Sequence, residues 1–114
     1  MRLAFAIVIA LSTTSGALAK TPHDEDIAGA IAFLLPVRDG ACPGLSFDPV
    51  AMSRMIDPKG LSVEIVRKRF RRDFDESAAK AADNIKTEGV PAYCTFARNF
   101  FGKNPGEFPG FVVR

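Results

Sequence analysis

Between Val63 and Ile85, the apolar and small residues Val63, Val66, Phe70, Phe74, Ser77, Ala78, Ala81 and Ile85 recur at helical spacing. A repeat of that period gathers them on one face of a helix; a strand would need alternation at every second residue. This is the strongest periodic signal in the chain, and it predicts a long helix from a Ser62 cap to about Lys86, with Leu61 placed to staple Val66. Gly89 and Pro91 punctuate its far end. A chain of 114 residues built on one such helix has room for one small domain, whose other elements must cover the stripe.

Three further segments supply that cover. Ile27, Ala30, Ile31, Leu34 and Leu35 share one helix face, and Asp24, Glu25 and Asp26 put negative charge on its first turn, so a helix is expected over Asp24 to Leu35. Pro36 is expected to end it, leaving Val37 to Gly44 as a connector that carries Cys42. Asp48 followed by Pro49 is an N-cap acceptor before Pro at the first helical position, and Phe47 can staple to Met52; this predicts a short helix from Pro49 to Ile56. Asp57-Pro58-Lys59-Gly60 reads as a turn. A last helix is expected from Pro91 to Phe101, stopping at Gly102. Residues 103–114 hold Pro105, Gly106, Pro109 and Gly110, which exclude a helix, yet Phe108, Phe111, Val112 and Val113 make this tail too apolar to be solvated. The expected fold is all-α: a small bundle of about four helices with an irregular apolar C-terminal tail. Only Phe111 to Val113 hints at a strand.

Met1-Arg2 gives a positive start, Leu3 to Leu11 is an almost unbroken apolar run, and Ala17-Leu18-Ala19 is an A-x-A cleavage site. This is the pattern of a secretory signal peptide over residues 1–19, leaving a single mature domain over 20–114. The apolar run is about half of the roughly 20 residues a membrane-spanning helix needs, so no membrane anchor is expected after cleavage. Export implies a periplasmic or secreted location and an oxidising compartment. The two cysteines, Cys42 and Cys94, then read as one intramolecular disulfide closing the bundle, with a bridge between chains of a homodimer as the alternative. Losing the signal removes Arg2 and no acid, leaving 14 basic against 13 acidic side chains. Such a balance argues against nucleic acid as a partner.

Few residues offer chemistry. His23 is the lone histidine, beside three acids, but Pro22 removes a backbone ligand and the acids suit a helix start; no metal, cofactor or catalytic site is assigned. Two thiols and one His are also too few for a structural zinc site. Arg67, Lys68, Arg69, Arg71 and Arg72 are five cations in six residues. In an exported protein, Arg67, Lys68, Arg71 and Arg72 form a candidate face for an anionic lipid, polysaccharide or acidic partner. The plainer reading is a salt-bridged surface, because Glu64 to Lys68, Arg69 to Asp73, Arg71 to Asp75, Arg72 to Glu76 and Glu76 to Lys80 all sit four apart, with Arg67 snorkelling beside the core. Nine of the ten phenylalanines lie in the mature part. Phe96, Phe100, Phe101, Phe108 and Phe111 form a candidate apolar binding surface, weighed against simple closure of a small core. Tyr93 reads as core.

Cys42-Pro43-Gly44-Leu45-Ser46 and Tyr93-Cys94-Thr95-Phe96-Ala97-Arg98-Asn99-Phe100-Phe101-Gly102 resemble the paired cysteine blocks of small exported alphaproteobacterial proteins, which adds location but no activity. The ground plan of signal peptide, short helical chain and two distant cysteines is similar to that of the HdeA/HdeB-type periplasmic acid-stress chaperones. That likeness implies a non-enzymatic protein that holds unfolded or partner proteins when acid exposes its apolar surface, with Cys42 and Cys94 as the structural bridge. Acid would neutralise the carboxylates and leave Lys and Arg charged, which permits such opening.

Overall fold

The fold comes from a computed structural model that describes residues 23–103 and 112–113. Six helices appear among these residues: α1 (Asp24–Phe33), α2 (Leu35–Arg38), α3 (Pro49–Ser53), α4 (Val63–Arg69), α5 (Arg71–Glu88) and α6 (Val90–Arg98). A π-helical turn, Asn99–Lys103, extends α6. The two-residue strands β1 (Ser46–Phe47) and β2 (Val112–Val113) pair antiparallel, Ser46 opposite Val113 and Phe47 opposite Val112. The protein is thus a small helical bundle, and the Cys42–Cys94 disulfide closes it with a Cα–Cα distance of 5.5 Å. The tail's phenylalanines, Phe108 and Phe111, and the signal segment 1–19 lie outside the described residues.

The four expected helices are all present, and two of them are broken. Pro36 does not terminate the first helical region. Leu34 leaves helical geometry at φ −93°, ψ 2°, and α2 then starts with Pro36 in its first turn, where the missing N–H costs nothing. The predicted long helix divides at Phe70, which sits at φ −125°, ψ 47°. A continuous helix would stack Arg67 on Arg71 and Lys68 on Arg72, like charges four apart that weakly disfavour it. The helices α3 and α6 are shorter than expected at their C-terminal ends, the last turn of α6 widening into the π turn.

Local chemistry places the starts. Asp48 Oδ1 accepts from the N–H groups of Val50 and Ala51 at 3.0 and 3.2 Å, and Ser62 Oγ accepts from Ile65 N–H at 3.2 Å. His23 caps α1, its own N–H donating to Asp26 Oδ2 at 3.2 Å. Gly89 joins α5 to α6 at φ +95°, a conformation that favours glycine, while its N–H closes α5 on Ile85 O at 3.0 Å.

The core is organised around α1, whose residues Ile27 to Ala32 are buried without interruption. A helix covered on every side sits at the centre of its fold. Its most extensive partner is α5, and α3 and α4 pack on it as well. The stripe of α4 and α5 faces inward as predicted: Val66, Phe74 and Ala81 are buried, and Phe70, Ala78 and Ile85 are packed against the core. Gly29 permits the close approach of α1 to α5, since a Cβ there would stand 2.8 Å from Ser77 Oγ. Gly29→Leu should therefore force the two helices apart and lower stability by about 1–3 kcal/mol, read as a fall in urea midpoint; an unchanged midpoint would show that they part there freely.

One buried polar residue escaped the sequence reading. The Ser53 hydroxyl is fully buried, donates to Val50 O at 2.7 Å and accepts from Leu61 N–H at 2.7 Å. It ties the end of α3 to the residue that precedes α4, so its burial leaves no polar group unpaired.

Candidate binding groove

Along α6 the aromatic residues separate onto two faces. Tyr93, Ala97 and Phe101 recur every four residues and are buried, with Phe101 only 4% exposed. Phe96 and Phe100 form a neighbouring row that is 45% and 37% exposed. The five candidate phenylalanines therefore do not act as one set. Phe101 belongs to the core, Phe96 and Phe100 face solvent, and Phe108 and Phe111 lie outside the described residues. The rings of Phe96 and Phe100 stack with centroids 5.4 Å apart and planes 10° apart. Phe101 abuts Phe100 edge-on at 4.8 Å, and Phe33 of α1 meets Phe96 edge-on at 5.6 Å. Edge-on and offset contacts of this kind are favourable beyond the area they bury. The exposed pair is thus seated on a rigid aromatic base.

Beneath it, Tyr93 fixes α6 to α1. Its hydroxyl donates to Phe33 O at 2.5 Å, a carbonyl in the last turn of α1, where helix carbonyls lose their own partners. Burial of the ring pushes the Tyr93 phenol well above its ordinary range. The next residue, Cys94, carries the disulfide to Cys42, so a hydrogen bond and a covalent bond hold the base of α6 side by side.

The aromatic pair forms one end of a groove of about 610 Å³ that runs between α1 and α5. Glu25 and Asp26 of α1 stand on one wall; Asp73, Glu76, Asp83 and Glu88 of α5 stand on the other. Lys80 is the single basic side chain in the lining among the described residues. Asn84 lines the groove too, and its Oδ1 is buried with no hydrogen-bond partner. The sequence reading places Glu25 and Asp26 at a helix start and Asp73 and Glu76 in pairs along a helix, and it gives Asp83 and Glu88 no role, so their convergence is missed. A signal existed: Asp73, Glu76, Lys80, Asp83 and Thr87 keep helical spacing beside the apolar stripe.

The basic face lies next to this groove and is less paired than expected. Of the five anticipated ion pairs four residues apart, only Arg72 to Glu76 forms, at 3.9 Å. The Arg67 side chain is about half exposed, and across the break at Phe70 its Nε reaches Asp75 Oδ1 at 2.9 Å, eight residues on. Lys68 and Arg71 are exposed and have no ion-pair partner among the described residues. His23 is exposed at the start of α1, and no group of three His, Cys, Asp or Glu is placed to hold a metal among the described residues.

No protein-family model, no curated protein and no solved structure matches the chain.

Proposed function

We propose that the protein is an exported, non-catalytic binding module that holds apolar segments of other proteins against the Phe96–Phe100 pair. The observation that carries this reading is the exposure of two stacked phenylalanines at the end of a groove, in a small domain that had Phe101 and Phe33 available to close its core. A disulfide-closed bundle fits an oxidising compartment, which supports export. The acid-triggered holding implied by the chaperone resemblance takes a simpler form here, because the aromatic pair is already accessible without unfolding.

The test is light scattering of an aggregating client with and without the mature oxidised protein, at neutral pH and in acid at about pH 3. Suppression is expected at neutral pH, and Phe96→Ser/Phe100→Ser should raise the concentration needed at least tenfold, equivalent to about 1.4 kcal/mol of binding. Both residues are exposed, so the fold should tolerate the change. Suppression confined to acid would return the trigger to acid opening. No suppression at either pH would end the reading.

A second reading is favoured by one observation, the unpaired Lys68 and Arg71: binding of an anionic envelope component through Arg67, Lys68, Arg71 and Arg72. Lys68→Gln/Arg71→Gln/Arg72→Gln would abolish that binding and leave client holding intact.

A further inference from the structure

We infer that the groove selects by charge: its occupant is a cationic amphipathic segment of another protein, with an apolar side chain on Phe96 and Phe100 and basic side chains between the acidic walls of α1 and α5. This rests on the reading of the groove as a protein-binding surface and adds what that surface recognises.

Two separate helices supply the carboxylates, so the acidity belongs to the groove and not to one helix face. Nor does it reflect the chain as a whole, whose formal net charge is +2. Asp26 is engaged with the start of its own helix and Glu76 with Arg72, whereas Glu25, Asp73, Asp83 and Glu88 have no ion-pair partner among the described residues. Glu88 is the last residue of α5, the end where the helix dipole disfavours a negative charge; Lys86 shares that last turn but forms no ion pair with it among the described residues. A cation in the groove would offset that charge further.

The aromatic end of the groove also suits a basic guest. The exposed faces of Phe96 and Phe100 carry the negative ring quadrupole that attracts ammonium and guanidinium groups. A volume of about 610 Å³ accommodates several side chains of a segment and greatly exceeds the needs of a lone ion.

The experiment uses fluorescence anisotropy with three labelled peptides and the mature oxidised protein. One peptide alternates lysine with leucine and carries a central phenylalanine; the second replaces lysine by glutamate; the third replaces the apolar residues by serine. The first is expected to bind, with affinity that falls as salt is raised, and the other two at least tenfold more weakly. Asp83→Asn/Glu88→Gln should weaken the first peptide about fivefold and flatten its salt dependence, while Lys68→Gln leaves it unchanged. Neither substituted carboxylate has an ion-pair partner among the described residues, and circular dichroism checks that the helices persist. Equal binding of the lysine and glutamate peptides would overturn charge selection and leave the aromatic-pair reading standing. Binding of neither, with Phe96→Ser/Phe100→Ser also silent in the client assay, would overturn both. Sedimentation of the unliganded protein is the last arm. Self-association that Asp83→Asn/Glu88→Gln dissolves would place a second copy in the groove and overturn the proposal.

Discussion

Replacement of both cysteines, Cys42→Ser with Cys94→Ser, is expected to lower stability by about 4 kcal/mol. The bond spans a sequence separation of 52 residues, and the value follows from the freedom that an open loop of that length regains in the unfolded chain. Domains of this size rarely exceed about 5–15 kcal/mol in total, so the variant should be marginal. Urea titration of oxidised protein and variant measures the effect: the midpoint should fall, and the slope should rise because the unlinked chain exposes more surface. The native contacts at both cysteines are buried, which adds a packing loss to the chain term. A midpoint that stays in place would mean that the helices alone hold α6 to the connector.

Tyr93→Ala should cost about 3–5 kcal/mol, the range for removing a fully buried aromatic ring. It deletes the ring packed on Phe33, whose centroid lies 5.3 Å away, and strips Phe33 O of its donor. Tyr93→Phe separates the two losses: the ring stays, and only the hydroxyl contribution of about 1–3 kcal/mol disappears. There is also an alkaline signature. Folding raises the pKa of this phenol, so the native state favours the neutral form. The stability that this contributes is whole below the ordinary tyrosine pKa of about 10 and is lost as pH rises beyond it. The chain has one tyrosine and no tryptophan, so tyrosinate absorbance reports Tyr93 alone. Absorbance should rise together with loss of helical circular dichroism. Ionisation at the ordinary pKa in a still-folded protein would contradict the burial.

Both predictions concern the base of α6, and the sequence makes only part of that base visible. The cysteine pair, the Asp48 and Ser62 caps and the inward stripe of α5 were legible because each depends on a few neighbouring residues. Breaks were harder. The split at Phe70 falls where Arg67 and Arg71, and Lys68 and Arg72, sit at like-charge spacing, a weak pattern that the opposite-charge spacings in the same segment outweigh. Pro36 was read as a stop, although the same ring suits the first turn of a new helix. The α5 wall of the groove has a local pattern, but its convergence with α1 requires knowledge that no local pattern contains. Whether Asp83 or Glu88 pairs along its own helix or faces a wall of α1 depends on Gly29 meeting Ser77 across some fifty residues of chain. Phe96 and Phe100 were marked as candidates together with Phe101, and only the placement of α6 on Phe33 separates the buried ring from the exposed pair.

The close packing of α1 on α5 also bears on how fast the protein can form. Helical bundles usually fold rapidly because their contacts are local in sequence, whereas here the largest interface joins residues 24–33 to residues 71–88. The chain must complete a long conformational search before that interface rewards it. The Cys42–Cys94 bond shortens this search, because it spans much of the same interval and holds its ends together from the outset. An oxidised chain therefore refolds from a state in which the decisive encounter is partly arranged, and a reduced chain has to find it unaided. The order in which the bond forms and the helices dock would then govern the yield of native protein as much as its final stability does.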